Sequence, residues 1–118
     1  MSLDLRLHED RVAPGEVVRG WVGITAPLPG SRSLEAFLRY VERTPDYAEV
    51  AWEAGTGPLH LGPLTQGQAF AFGLRLPAEA TPGHTSRHGW LFWEVDVKSD
   101  EPHGHDTHAR VLLDVAVP

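Results

Sequence analysis

Apolar and polar residues alternate with a period of two along much of this chain. Leu3, Leu5 and Leu7 alternate with Asp4, Arg6 and His8, and Phe70, Phe72, Leu74 and Leu76 share a face opposed by Ala69, Ala71, Gly73 and Arg75. Leu91, Trp93, Val95 and Val97 share another, opposed by Trp90, Phe92, Glu94 and Asp96. Val111, Leu113, Val115 and Val117 close the chain against Arg110, Leu112, Asp114 and Ala116. Successive side chains of a strand point to opposite faces, so each run predicts a strand with one buried face. Turn signals punctuate the runs: Ala13-Pro14-Gly15, Pro27 to Gly30, Thr44-Pro45-Asp46, Ala54-Gly55-Thr56-Gly57-Pro58, Thr65-Gln66-Gly67, Pro77 to Gly83 and Ser99 to Gly104. Proline fixes φ and glycine frees it where a chain must reverse. Short strands at such spacing predict an all-β sandwich.

One stretch carries two periods. Over residues 33–44, Leu34, Phe37, Leu38 and Val41 fall at helical spacing behind Ser33, a good N-cap. The same residues read as a strand place Leu34, Ala36, Leu38 and Tyr40 on one face. The local pattern favours a helix; the all-β surroundings overrule it, and a strand is predicted.

Composition narrows the class. The chain has 118 residues, enough for one domain with a core of its own, and no repeat or linker divides residues 1–118. Its 12 Gly and 10 Pro suit a turn-rich β protein. A formal charge of −6, with Lys98 the only lysine, argues against a nucleic-acid partner and against an anionic membrane surface. With no Cys there are no disulfides, thiolate metal sites or cysteine nucleophiles. The start, Met1-Ser2-Leu3-Asp4, lacks the charged and apolar regions of a signal peptide, and no apolar stretch approaches the ~20 residues of a membrane span. A cytoplasmic location is expected.

Several pieces line up in order: Val12-Ala13-Pro14-Gly15-Glu16-Val17-Val18 with Gly20 two residues on; Leu34-x-Ala36-x-Leu38-x-Tyr40; Leu64-x-x-Gly67-x-x-Phe70-x-Phe72-x-Leu74-x-Leu76-Pro77; Pro82-Gly83-His84-Thr85-Ser86; and Trp90-Leu91-Phe92-Trp93-Glu94-Val95-Asp96-Val97. Together they resemble the N-terminal half of the arrestin-like proteins, a family that includes bacterial sporulation-control proteins and an arrestin-related retromer subunit. The resemblance spans roughly residues 3–117. It implies an immunoglobulin-like sandwich of seven to eight antiparallel strands with Greek-key-like connections, whose work is to bind other proteins. Two departures stand out. Arrestins proper carry two tandem sandwiches where this chain has length for one, and the phosphate-sensing residues of visual arrestins have no counterpart here.

Three clusters bear on chemistry. Asp100, Glu101, His103, His105, Asp106 and His108 crowd one segment, and imidazole with carboxylate suits Zn, Ni or Cu. In extended chain His103 and His105 would point the same way; the simpler reading is a polar loop between a strand ending near Val97 and one starting near Ala109. His84, Ser86 and His88 offer a nucleophile and bases, but they lie too close in sequence for a triad and lack a nucleophile elbow. Gly55-Thr56-Gly57 has no phosphate fingerprint around it and reads as a turn. Among the four Trp residues, Trp93 is expected in the core, whereas Trp90 and Phe92 share a face with Glu94 and Asp96, as a contact surface or a sugar platform would.

These readings lead to a non-enzymatic protein-interaction or scaffold module. No catalytic, cofactor or metal residue is assigned and no cofactor is expected. Its partner is another protein or a second copy, joined through exposed edge strands. The rivals are a carbohydrate- or small-ligand-binding sandwich with a groove at Trp52 or Trp90, and a metal-dependent enzyme built on His103, His105 and His108.

Overall fold

The computed structural model describes residues 2–117. Among these residues nine strands follow one another: β1 (Leu3–Leu7), β2 (Arg11–Val12), β3 (Val17–Ile24), β4 (Ser33–Arg43), β5 (Ala48–Leu61), β6 (Ala69–Arg75), β7 (His84–Thr85), β8 (Trp90–Asp100) and β9 (Thr107–Val115). The seven long strands match the expected number, and β2 and β7 are two-residue additions too short to carry a period. A three-stranded sheet, β1-β3-β6, packs on a larger one ordered β2-β9-β8-β4-β5, with β7 also on β8. The chain changes sheet on either side of β2, between β3 and β4, between β5 and β6, and after β6. Pairing is antiparallel except at β2, which runs parallel to β9 with Arg11 against Asp114 and Val12 against Val115. There the β1–β3 connection swings across to the other sheet, and its direction of travel sets the orientation.

The stretch 33–44 is strand β4, as its neighbourhood demanded. It lies between β5 and β8, with Leu34, Ala36 and Leu38 buried inward. A lone amphipathic helix would have left β5 and β8 without their shared partner. From the facing sheet come Val18, Val22, Ile24, Phe72 and Leu74, and the core is completed by Val95, Val97, Leu113 and Val115. Each fully buried side chain of this kind contributes roughly 1.5–3 kcal/mol. Trp93 is buried as expected; its ring meets Tyr40 at 4.6 Å and Trp52 at 5.7 Å between centroids. Its indole N–H donates to the Thr81 carbonyl at 2.7 Å.

Three local expectations are corrected. Gly55-Thr56-Gly57 is no turn: β5 runs straight through it. Two of the three register shifts along β4–β5 flank it, the Gly57 N–H donates to the Glu35 carboxylate at 3.1 Å, and the Ala36 N–H donates to Thr56 Oγ1 at 3.2 Å. Gly57 takes a positive φ of 75° that a side chain would oppose. The last two strands extend past Val97 to Asp100 and begin before Ala109 at Thr107, because Lys98 and Ser99 still find partners in His108 and Thr107. Val117 lies beyond β9 and is exposed, having no strand left to face.

Gly20, the second glycine of the opening motif, is fixed by space. A Cβ there would lie 2.6 Å from the Arg6 carbonyl oxygen and 3.0 Å from Leu7 and Phe72 side-chain atoms. Gly20→Ala is therefore expected to cost about 1–3 kcal/mol, as an overpacked interior does, read as a lowered urea midpoint at unchanged m-value.

Candidate functional site

Antiparallel register writes rows of side chains across the outer face of the larger sheet. Val50, Val41 and Phe92 form one row, running β5 to β4 to β8. Glu53, Arg39, Glu94 and Leu112 form the next, then Gly55, Phe37, Asp96 and Arg110, then Pro58, Glu35, Lys98 and His108. Sequence alternation alone places these residues outward; the pairing of strands far apart in sequence makes them neighbours. The result is an apolar end beside a grid of alternating charge.

At the centre of the grid sits Asp96, with 0% of its surface exposed. The Arg39 guanidinium donates to it and also reaches Glu53 on β5. His108 Nδ1 lies 3.0 and 3.1 Å from the two carboxylate oxygens, and Arg110 Nε is 3.5 Å away. Phe37 packs its ring 4.6 Å from the Arg39 guanidinium carbon, shielding the pair from above. Burial works to lower the Arg39 pKa, but the ion pairs with Glu53 and Asp96 outweigh it and hold the guanidinium above its ordinary value. Arg39 is thus a permanent cation tying β5, β4 and β8 together.

The histidine cluster is not gathered into one site. Among the described residues no group of three or more His, Asp or Glu side chains is placed to hold a metal ion. His108 turns onto the sheet to face Asp96. His103 sits in a short 3-10 turn over Pro102–Gly104 with φ of 68°, so the extended chain that would align it with His105 does not exist. The turn is closed instead by Asp106, whose carboxylate accepts the Glu101 N–H at 3.0 Å, and by Thr107 Oγ1 donating to the Glu101 carboxylate. That backbone hydrogen bond holds the Asp106 pKa below the ordinary carboxylate range. Ser86 has its own employment: Oγ donates to the Gly89 carbonyl at 3.2 Å and accepts the His88 N–H at 3.4 Å, so His84 and His88 flank a turn and no activated hydroxyl.

Trp90 and Phe92 do share the outer face. Phe92 is buried and Trp90 remains 39% exposed, with ring centroids 4.4 Å apart. Trp52 leans inward on Trp93 and offers no open platform. Asp96 was missed as a focal residue, because its partner Arg39 lies 57 positions away. The only sequence signal was a carboxylate at an outward position of the strand, shared with Glu94 two residues earlier.

A two-sheet all-β sandwich with this strand order is an arrestin-like fold. The architecture is similar to that of Spo0M, the sporulation control protein from Bacillus subtilis, with a TM-score of 0.64 and 22% identity over 99% of this chain. The chain spans about half of Spo0M, 49% of its length. It also resembles the C-terminal domain of wzt, with a TM-score of 0.50 and 9% identity over 98% of this chain and 71% of that domain. No family model matches the sequence, and no curated protein does. No helix among the described residues is long and apolar enough to cross a membrane.

Two outcomes follow from this geometry. Arg39→Ala strands the Asp96 carboxylate in a dry site and is expected to cost about 3 kcal/mol, the lower end for a broken buried pair because His108 and Arg110 remain; chemical denaturation measures it. The Asp106 carboxylate, depressed in the folded state, favours folding above its unfolded pKa, and that contribution is lost as pH falls through the folded pKa. An NMR titration of the Asp106 carboxyl should find its midpoint below that of a free aspartate, and Asp106→Asn should remove the acid-side loss it causes.

Proposed function

We propose that this chain is a non-catalytic protein-interaction module of arrestin-like type, and that it meets its partner by pairing at the exposed edge of the larger sheet. The observation that carries this is β5. It is 14 residues long, it ends the sheet with β4 on one side only, and each of its first four residues is exposed. An unpaired edge presents backbone donors and acceptors ready for another strand. Pro58 and the register shifts around Gly55 and Gly57 guard the far half, which leaves residues 48–54, with a single shift at Ala51, as the usable stretch.

Charge selects between partners. β5 carries Glu49 and Glu53 and no Lys or Arg. Two copies paired at this edge bring four carboxylates together with no cation among them, a like-charge approach that disfavours self-pairing. Glu53 shares the outer face with Val50 across the register shift at Ala51 and Glu49 lies on the other, so a basic strand is the better match. The arrestin-like fold supports an interaction role without naming a partner.

An NMR titration with an alternating Val/Lys peptide of about eight residues, the length of an ordinary strand, tests the proposal. Amide shifts should concentrate on residues 48–54, the Val/Glu counterpart should not bind, and Glu49→Lys should weaken binding about tenfold, roughly one charge contact. Equal binding of the two peptides, or shifts confined to another edge, would overturn it.

A further inference from the structure

The smaller sheet has a free margin of a different kind from that of β5. At one end of the β3–β6 ladder the Ile24 N–H donates to the Gln68 carbonyl at 2.8 Å, and at the other the Leu76 N–H donates to the Glu16 carbonyl at 2.8 Å. Antiparallel bonding alternates, so in this register Phe70, Phe72 and Leu74 exchange their backbone bonds with Val22, Gly20 and Val18. The N–H and C=O groups of Ala69, Ala71, Gly73 and Arg75 then point away from β3. No strand pairs there among the described residues, and all four residues are exposed. At the sheet's other margin β1 lies against β9, with Leu3 buried and Leu5 and Leu7 packed on the core.

Sheet edges are ordinarily blunted by lysine, proline, a bulge or charge. β6 has no lysine or proline, and its register with β3 runs without a shift. Its one charge is Arg75, whose guanidinium donates to the Gly15 carbonyl at 2.7 Å and is held back over the turn before β3. Ala69, Ala71 and Gly73 present almost no side chain on the outer face. Where β5 meets a second copy with carboxylates, β6 meets it with bare backbone.

We infer that β6 is the edge by which this chain pairs with a second copy of itself, antiparallel about a two-fold axis through Phe72. In that register Ala69 of one copy faces Arg75 of the other and Ala71 faces Gly73, so every unpaired N–H and C=O of the strand is met. The two Arg75 side chains fall at opposite ends of the strand pair, roughly 20 Å apart along it and beyond the screening length of about 8–10 Å. On the inner face Phe70 lies opposite Leu74, and the two Phe72 side chains face each other, apolar on apolar. Pairing of identical patches about a two-fold closes on itself, giving a dimer and no filament. The axis also clears the acidic part of β5. β6 starts where β5 ends, and the Phe70 ring lies 5.2 Å from that of His60, so the far half of β5 runs beneath the axis while Glu49 and Glu53 lie further along. The pairing is carried by β6 alone and stands or falls separately from peptide capture at β5.

Sedimentation of the full chain from about 1 μM to about 1 mM, the range of ordinary reversible contacts, tests the inference. The mass should rise with concentration from the 13.0 kDa of one chain to twice that. Amide hydrogen exchange should find Ala71 and Gly73 protected in the dimer and released on dilution, with Phe70, Phe72 and Leu74 protected throughout. Ala71→Lys, an exposed change, should weaken the association about tenfold or more by setting two cations diagonally across the axis, at unchanged melting temperature of the dilute monomer. Ala71→Pro should do the same by a second route, since the N–H it removes is one that β3 does not use. Glu49→Lys should leave the association as it is. The inference is overturned if the chain stays a monomer at every concentration, or if either Ala71 variant, still folded, associates as well as the native chain. It is overturned equally if the protected amides lie at another edge, or if Glu49→Lys alters the association as much as Ala71→Lys does.

Discussion

A carboxylate shut off from water on the outer face of a sandwich is a costly thing to keep, and Asp96 has Arg39, His108 and Arg110 around its oxygens. A buried ion pair adds little net stability over a well-packed apolar pair. What it does impose is a penalty on every wrong arrangement. A slip of β8 by one residue would turn Asp96 inward among Leu38, Trp93 and the core valines, away from Arg39, Arg110 and His108, while Val95 and Val97 turned out to water. Arg39 passes the same constraint to β5 through Glu53, which is how an edge strand with three irregularities stays in one register.

The inner face of the sandwich was open to reading because its signal is local. Phe72, Leu74 and Leu76 on one side and Trp93, Val95 and Val97 on the other alternate within single strands, and all are buried. The region around β4 needed its neighbours, since Leu34 and Leu38 satisfy both periods and only the sheets on either side decide between them. Gly55 to Pro58 misled for a physical reason. Glycine and proline there serve bulges in an edge strand, where a missing N–H and a positive φ are tolerated, and not a reversal of the chain.

The outer face was harder because its chemistry lives between strands. His108 stood in a conspicuous histidine cluster, yet its contact is Asp96, twelve positions earlier and across the β8–β9 ladder. His103 and His105 stayed in the turn, where Asp106 and Thr107 close the backbone without them. Spacing along a chain predicts chelation only when the segment is extended, and a left-handed residue at His103 breaks that condition. Trp90 and Phe92 were placed correctly on their face, but the sequence does not show where β9 leaves β8 beside them. That point is set by β2, whose two residues carry no pattern of their own.

Among the described residues every buried side-chain polar atom has a partner, so the interior holds no orphan group waiting for a ligand. What can recognise anything lies outside: the free edges of β5 and β6. Each sits at a sheet's margin, and the middle of the larger sheet is sealed by the Asp96 network. A rigid charged centre with adaptable margins lets the edges be exposed without letting the sheet slide. The acidic edge then serves two ends at once, since Glu49 and Glu53 resist pairing with a second copy while leaving the backbone available to a basic strand.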